Sequence, residues 1–293
     1  MSLLGAINMT LDGLRYRLER GADLEEVDEH GLRPLGYLLM YTYWYPNGFD
    51  VCKFLVEAGA DVNAPIGNEY ASALDCIVGS NKSWGIYTPE SCVVRLFIDA
   101  GADPNVHSGA PLLHGVRDVE CMEILIGAGA DVHDRDKRQR TALHHAVTRR
   151  NNMECVRALL AAGVDPNAVD EDGNTSLHYA CLANTEGAIY SIGDVDPIVR
   201  CLIESGANVH ARNKRGKRPV DANDIPIEAA VALVENGAFF NGGNNRLKAA
   251  RRVYLDGLRE RMGVFALGKP FPDDVMRLVA GHIHSLLPPQ NKA

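Results

Sequence analysis

Long apolar runs are missing from this 293-residue sequence. The longest, such as residues 38–40 and 231–234, fall far short of the roughly 20 residues needed to cross a bilayer. The first ten residues have neither the basic start nor the apolar stretch of a secretory signal. We therefore expect neither a membrane span nor a secreted protein. The expected location is the cytoplasm, with the nucleus as an alternative.

A large excess of one charge is also missing. Thirty basic and thirty-eight acidic residues leave a net charge of −8, and apolar residues make up 46% of the chain. This balance argues against wholesale coating of nucleic acid or of anionic lipid. Any basic recognition surface must therefore be local, on a chain with an ordinary globular composition.

Paired cysteines and catalytic motifs are lacking as well. The seven cysteines form no CxxC pair, and five of them precede a Gly-Ala or Gly-Val step: Cys52, Cys92, Cys121, Cys155 and Cys201. We interpret these as reduced packing residues and expect no disulfide framework, no metal and no cofactor. No GxSxG, HExxH, Walker A or Rossmann motif occurs, so the chain is predicted not to be an enzyme.

What the sequence does contain is a short repeated phrase, Gly-Ala-Asp or a close variant. It begins at Gly21, Gly59, Gly101, Gly129, Gly163, Gly206 and, weakly, Gly237, at intervals of 38, 42, 28, 34, 43 and 31 residues. An apolar stripe at helical spacing precedes each glycine, which predicts a helix that ends there in a left-handed residue. An Asp/Asn-rich tract and a second short apolar segment follow, which predicts a turn and another helix.

The second segment carries the phrase that identifies a family. Residues 141–146 read TALHHA and residues 175–180 read TSLHYA, with a looser version, PLLHGV, at residues 111–116. Together with the glycines and turns, this resembles ankyrin repeats, whose unit is a β-turn finger and two antiparallel helices. The resemblance covers about residues 5–240 and implies an all-α solenoid.

The resemblance also predicts the organisation of the chain. We expect an N-terminal capping half-repeat over residues 1–22, about six repeats over residues 23–240, and a C-terminal cap and tail over residues 241–293. His114, His144 and His178 of the repeated phrase are expected to be structural, each tying one finger to the next through its ring nitrogens. Metal binding and proton transfer are the alternatives.

Three intervals exceed the period of about 33 residues and therefore contain insertions. These lie at residues 41–50, 81–90 and 183–196, between the two helices of a unit. The first two hold both tryptophans of a chain with only 6% aromatic residues. We predict that they contact a protein partner through Tyr41, Tyr43, Trp44, Tyr45, Trp84 and Tyr87. The alternative is that the rings pack on one another as a separate small core.

The fingers differ in length and charge. The 28-residue interval leaves too few residues for a full finger at 103–109, so we expect a notch there. Basic tips, predicted to bind a partner, are formed by Arg135, Lys137, Arg138 and Arg140, and by Arg212, Lys214 and Arg215. An acidic tip at residues 170–172 lies between them. A solvated face and a docking surface for an acidic partner both remain open, whereas nucleic acid is disfavoured because the patches lack interleaved aromatic residues.

One finger position, four residues after the repeat glycine, holds Asn63, Asn105 and Asn167. The ankyrin resemblance implies that these residues are possible substrates of an asparaginyl hydroxylase. The alternative is that each asparagine stabilises its own turn.

The C-terminal tail carries a second pattern. Residues 269–283 read KPFPDDVMRLVAGHI and resemble the start of an F-box. The order of ankyrin repeats followed by a truncated F-box is similar to that of the poxvirus ankyrin family called PRANC. That resemblance implies binding of a Skp-type linker and a cullin through Phe271, Pro272, Val275, Val279 and Ile283. Alternatively the same face caps the last repeat, and a SOCS-box interpretation ranks below the F-box.

These patterns together predict a protein-interaction scaffold. The leading hypothesis is a viral substrate adaptor that links a host target, bound by the repeats, to a Skp/cullin-RING ubiquitin ligase. The alternative is an ankyrin protein that inhibits a host signalling protein by occupancy, without recruiting a ligase. The sequence does not identify the target, because ankyrin surfaces bind by shape and scattered side chains.

Overall fold

The computed structural model describes residues 3, 11–41, 48–79, 90–149, 152–182 and 195–221, together with residues 229, 230, 232, 233 and 236. Within these ranges regular structure is helical, and extended pairing is limited to isolated bridges between Ile66 and Tyr70 and between Val169 and Thr175. The all-α prediction is therefore confirmed for these ranges, whereas the predicted helical tail at residues 241–293 lies outside the described residues. None of the described helices is long and apolar enough to span a bilayer.

The chain divides into two compact units. Unit 1 is Met1–Lys137 and unit 2 is Arg138–Ala293. The helices of unit 1 are α1 (Leu11–Glu19), α2 (Pro34–Tyr41), α3 (Gly48–Glu57), α4 (Ala73–Gly79), α5 (Glu90–Asp99), α6 (Leu112–Gly115) and α7 (Val119–Gly127). In the described part of unit 2, α8 (Ala142–Ala146), α9 (Met153–Ala161), α10 (Ser176–Leu182) and α11 (Val195–Glu204) are followed by a 3-10 turn at Pro219–Asp221, and residues 229, 230, 232 and 233 are also helical.

Within each unit the helices form two stacked rows. In unit 1, α2 packs on α3 and α4, α4 packs on α5 and α6, and α3, α5 and α7 follow one another, with α1 covering α3. In unit 2, α8 packs on α9, α10 on α11, and like helices are again neighbours. Such nearest-neighbour packing buries the apolar face that a single repeat cannot cover alone.

We call the second helix of each repeat the outer helix and the first the inner helix. The outer helices end in the same way, because a glycine follows each of them. They are α1, α3, α5, α7, α9 and α11. Gly21, Gly59, Gly101, Gly129, Gly163 and Gly206 have φ between 81° and 97°. The next residue donates its N–H to the carbonyl five residues back, as Ala60 does to Leu55 at 3.1 Å. This bond satisfies a carbonyl that the helix leaves unpaired and turns the chain toward the finger.

The core is formed by apolar side chains at matching positions. The residue four before each repeat glycine is fully buried at Leu55, Phe97, Leu125, Leu159 and Leu202. All seven cysteines are free thiols.

The packing interpretation is correct for three of the five cysteines named above and wrong for Cys92. Cys52, Cys121 and Cys155 are buried, and burial raises the pKa of the Cys52 thiol to about 12, so that it is unreactive. Cys92 is exposed because Val93 and Val94 occupy the core-facing side of α5, and Cys201 is only partly buried.

The insertions predicted from the repeat period fall between helices. The flanking helices extend further than expected, since α3 begins at Gly48, α5 at Glu90 and α11 at Val195. Residues 42–47, 80–89 and 183–194 lie outside the described residues.

Candidate protein-interaction surface

The histidines of unit 2 connect each inner helix to the next finger. The backbone N–H of Thr141 donates to Nδ1 of His144 at 3.1 Å, so this nitrogen is an acceptor and the proton lies on Nε2. Nε2 then donates to the carbonyl oxygen of Asn174 at 3.1 Å. His178 repeats the arrangement with Thr175 at 3.1 Å and with the carbonyl of Lys217 at 3.0 Å.

His114 makes the corresponding contact in unit 1. Its Nε2 lies 3.3 Å from the carbonyl oxygen of Asp134. A proline, Pro111, stands where the other two phrases have threonine. All three histidines of the repeated phrase therefore contact the following finger.

The asparagines at the shared finger position link consecutive fingers. Asn63 donates its side-chain amide to the carbonyl of Gly101 at 3.0 Å and accepts the N–H of Asp103 at 2.8 Å. Asn105 does the same with Gly129 and Asp131, and Asn167 with Gly206 and Asn208. We call these paired contacts the asparagine bridges.

The expectation that each asparagine stabilises its own turn is wrong, because these side chains bind the backbone of the next finger. That role belongs to the residue two positions earlier, since the carboxylate of Asp61 accepts the N–H of Asn63 at 2.9 Å. Hydroxylation of Asn63, Asn105 and Asn167 stays a prediction, and each of their amides is engaged with a neighbouring repeat.

Glu25 of the first finger occupies the position that asparagine holds in the later fingers, although the sequence motif did not indicate it. Its carboxylate accepts the N–H of Asp61 at 2.9 Å and pairs with Arg33, whose Nε lies 2.9 Å away. The signal was available, because Glu25 follows Gly21 by the same four residues that separate Asn63 from Gly59.

The short finger of unit 1 is held by Asp75 of α4. One carboxylate oxygen of Asp75 accepts the N–H of both Ala71 and Ser108 at 2.9 Å, and its side chain is only slightly exposed. The hydroxyl of Ser72 donates to the carbonyl of Val106 at 3.3 Å. Residues 103–111 thus run directly against α4 and reach α6 without an extended hairpin.

In unit 2, three finger tips are joined by backbone hydrogen bonds. The N–H of Glu171 donates to the carbonyl of Arg138 at 2.9 Å, and the N–H of Lys214 donates to the carbonyl of Asp172 at 2.8 Å. The side-chain amide of Asn213 also donates to Oδ1 of Asn174 at 2.8 Å. The tips therefore have a fixed register within this unit.

Asp170 holds the middle tip in shape. It accepts bonds from the N–H groups of Asp172 and Asn174 and from the hydroxyl of Tyr179, which is 2.7 Å away. Burial acts to raise the pKa of Asp170, but the bonds from Tyr179 and Asn174 outweigh it and lower the pKa. Burial, together with the bond to Asp170, raises the pKa of Tyr179 to about 12.

Charge alternates along these tips as the sequence predicted. Nε of Arg138 lies 3.7 Å from Oε1 of Glu171, and the two side chains form an exposed ion pair. We call residues 208–218 the basic finger. Its exposed cations are Arg212, Lys214, Arg215 and Lys217.

Arg218, at the end of the basic finger, is a structural cation. It is 7% exposed and donates to both oxygens of Asp221, at 2.9 Å and 3.1 Å. Burial opposes ionisation of Asp221, yet the bonds from Arg218 lower its pKa. Arg218 is therefore unavailable for a partner.

Of the other predicted basic residues, Arg135 and Lys137 are exposed in unit 1 and Arg140 is half-buried in unit 2. Tyr41 is the last residue of α2. Tyr43, Trp44, Tyr45, Trp84 and Tyr87 lie outside the described residues. So do the tail residues Phe271, Pro272, Val275, Val279 and Ile283.

Comparison with known proteins supports the ankyrin assignment. Residues 112–213 match the family model for ankyrin repeats, in three copies. The chain is similar to the crystal structure of the ankyrin repeat domain of Bcl-3, a member of the IkappaB family, with 24% identity and a TM-score of 0.50 over 74% of this chain and 89% of that one. It is also similar to the human ASB11 ankyrin repeat domain, with 24% identity and a TM-score of 0.57 over 78% and 93%.

No curated protein sequence matches the chain significantly. At 24% identity, the two solved structures resemble this chain in fold. The fold of this chain is the helical ankyrin-repeat fold.

Proposed function

We propose that this ankyrin-repeat chain is a protein-interaction scaffold. Stacked ankyrin units form an extended surface that binds other proteins. The observation that carries the proposal is the joined finger edge of unit 2, in which Glu171 and Lys214 are each hydrogen-bonded to the preceding tip through the backbone. Their charged side chains are exposed to solvent. A surface ordered before binding loses little conformational entropy when a partner docks.

The histidines of the repeated phrase form hydrogen bonds within the repeats. His144 and His178 have both ring nitrogens engaged with backbone atoms. This use favours a binding role over proton transfer at these residues. That the protein is not an enzyme stays a prediction.

We further propose that the scaffold is a substrate adaptor of a Skp/cullin-RING ubiquitin ligase. Its support is the F-box resemblance of residues 269–283, where Val275, Leu278, Val279 and Ile283 share an apolar face at helical spacing. An amphipathic helix of this kind binds by laying its apolar face into a groove. The repeats would hold a host target while the tail holds the linker.

The experiment is a binding assay with purified Skp-type linker and cullin. We expect the full chain to retain both proteins and a chain lacking residues 269–293 to lose them. Val275→Asp combined with Val279→Asp should abolish binding, because it places charge on the apolar face. Arg277→Asp is the matched control off that face and should retain both proteins.

If the intact chain binds neither protein, the adaptor role is wrong. Inhibition of a host partner by occupancy, the alternative predicted from the sequence, would then be the function to pursue. The scaffold proposal itself does not depend on the tail, since the finger edge of unit 2 belongs to the repeats.

A further inference from the structure

The tip of the basic finger is rigid before any ligand binds. Oδ1 of Asn213 accepts the N–H groups of Arg215 at 3.0 Å and Lys217 at 2.9 Å. The backbone of Asn213 donates to the carbonyl of Lys217 at 2.9 Å, and Gly216, with φ of 70°, completes the reversal. The cations on this turn are therefore presented from a fixed backbone.

Two exposed cations of the basic finger form no ion pair with the described residues of the neighbouring tips. The guanidinium of Arg212 donates to the carbonyl of Gly216 at 2.7 Å, so one of its N–H groups is already bonded within the turn. Lys214 and Arg215 are exposed and form no ion pair within the described parts of unit 2. Arg138, by contrast, is already paired with Glu171.

The adjacent tip has the opposite charge. Asp172 is exposed, and its backbone carbonyl accepts the N–H of Lys214, so an acidic residue lies beside the basic tip in fixed register. A long polyanion that followed this edge would meet Asp172 and Glu171 and be repelled. A short acidic segment that ends in a basic residue would match both tips.

We propose that the basic finger binds an acidic peptide segment of a protein partner, with Lys214 and Arg215 as its anchors and Asp172 selecting against long polyanions. This inference rests on the proposed scaffold function and names the chemistry of the partner. Carboxylates are the matching groups, because Arg215 offers a planar fork of donors and Lys214 a mobile ammonium.

The test measures fluorescence anisotropy of a labelled Gly-Asp-Glu-Asp-Gly-Gly-Lys peptide titrated with the full chain. We expect binding that weakens as salt is raised. Lys214→Glu combined with Arg215→Glu should reduce the affinity by about tenfold or more. The matched control is Lys53→Glu combined with Arg95→Glu, which changes the net charge equally at exposed residues of α3 and α5. An equal loss in the control would overturn the proposal.

A second variant tests the fixed backbone without changing charge. Asn213→Ala removes the two acceptor contacts at the tip, and with them the amide hydrogen bond to Asn174 of the preceding tip, while every cation remains. We expect a loss of affinity of about threefold to tenfold, with the far-ultraviolet circular dichroism unchanged. Unaltered affinity of this variant would contradict the role given to the rigid turn.

A single-stranded oligothymidylate distinguishes a nucleic-acid surface from a protein surface. We expect the wild-type chain to bind it more weakly than the peptide. Glu171→Lys combined with Asp172→Lys should raise the affinity for the oligonucleotide by removing the acidic tip. Tighter binding of the oligonucleotide than of the peptide by the wild-type chain would refute the proposal.

These outcomes separate the inference from the function on which it rests. If Lys214→Glu/Arg215→Glu keeps wild-type peptide affinity while the full chain still binds the Skp-type linker, the anchor assignment is wrong and the adaptor role stands. If peptide binding behaves as expected but the linker is not bound, the adaptor role fails and the anchor assignment stands.

Discussion

Histidine has a consistent structural role in the repeated phrase. In His144 and His178 the backbone N–H of a threonine donates to Nδ1, which leaves Nε2 to donate to a carbonyl of the next finger. Protonation of Nδ1 would remove that acceptor and break the contact. The neutral ring is therefore the form that joins the inner helix to the neighbouring finger.

A dependence of stability on pH follows for His178. Burial lowers its pKa from the ordinary value of 6.5. The unfolded chain then binds more protons than the folded chain as pH falls through 6.5, so the free energy of unfolding decreases from there down to the lowered pKa of the folded state. Above 6.5 both states carry a neutral ring and this contribution is constant.

Urea unfolding of the wild type and of His178→Gln between about pH 7.5 and about pH 5.5 measures the effect. We expect His178→Gln to lose about 1–3 kcal/mol near neutral pH and to show a shallower dependence on pH than the wild type. The exposed His133 provides the control, because His133→Gln should keep the wild-type dependence. Equal slopes for the wild type and His178→Gln would contradict this account.

The asparagine bridges are a second contact made by single residues. Asn105→Ala removes the bonds to Gly129 and Asp131, and we expect it to lower the free energy of unfolding by about 1 kcal/mol, since the bridge is exposed to solvent. Urea unfolding measures the loss, and hydrogen exchange should quicken at the amide of Asp131. Asn68→Ala, at an exposed finger tip, is the control, and an equal loss there would count against the bridge.

At the scale of the element, the fingers depend on glycines that differ in their surroundings. Gly173 and Gly216 both have positive φ, at 77° and 70°. A Cβ on Gly173 would lie 3.0 Å from the backbone nitrogen of Lys214, whereas a Cβ on Gly216 would meet nothing within 4 Å. A comparison of alanine substitutions at Gly173 and Gly216 therefore distinguishes strain at positive φ from steric contact between fingers.

This difference predicts unequal effects of alanine. Gly216→Ala should lose about 1 kcal/mol of unfolding free energy through strain at positive φ. Gly173→Ala should lose about 1–3 kcal/mol more, because the added methyl group pushes the basic finger away from the acidic tip. Urea unfolding compares the two variants, and equal losses would show that the close approach has no energetic effect.

At the scale of the whole molecule, function depends on which surfaces remain exposed after the repeats have packed. The net charge of −8 is the sum of local patches of both signs. The basic finger is one such patch, and it lies beside the acidic tip in unit 2. Net charge therefore excludes a general polyanion binder without excluding a local site for an acidic segment.

The aromatic insertions at residues 41–50 and 81–90 are predicted to bind a protein partner. Trp44→Ala combined with Trp84→Ala should abolish binding of a protein partner identified by affinity capture, while the circular dichroism melt changes little, because tryptophans at an interface contribute mainly to binding. Tyr16→Ala, at an exposed aromatic residue of α1, is the control for loss of surface ring area. A collapsed melt of the double variant would instead indicate that the rings pack together as a small core.

The sequence by itself determined the helical repeats and their ends. Glycine is required where each outer helix turns back, and buried leucine or phenylalanine four residues earlier follows from the helical period, so both are visible as a pattern along the chain. Only the tertiary structure decided the partners of the polar groups. Asn105 reaches across to Asp131, and Asp75 binds the amide of Ser108, because stacking brings residues of different repeats together, and sequence spacing does not show which donor an oxygen will meet.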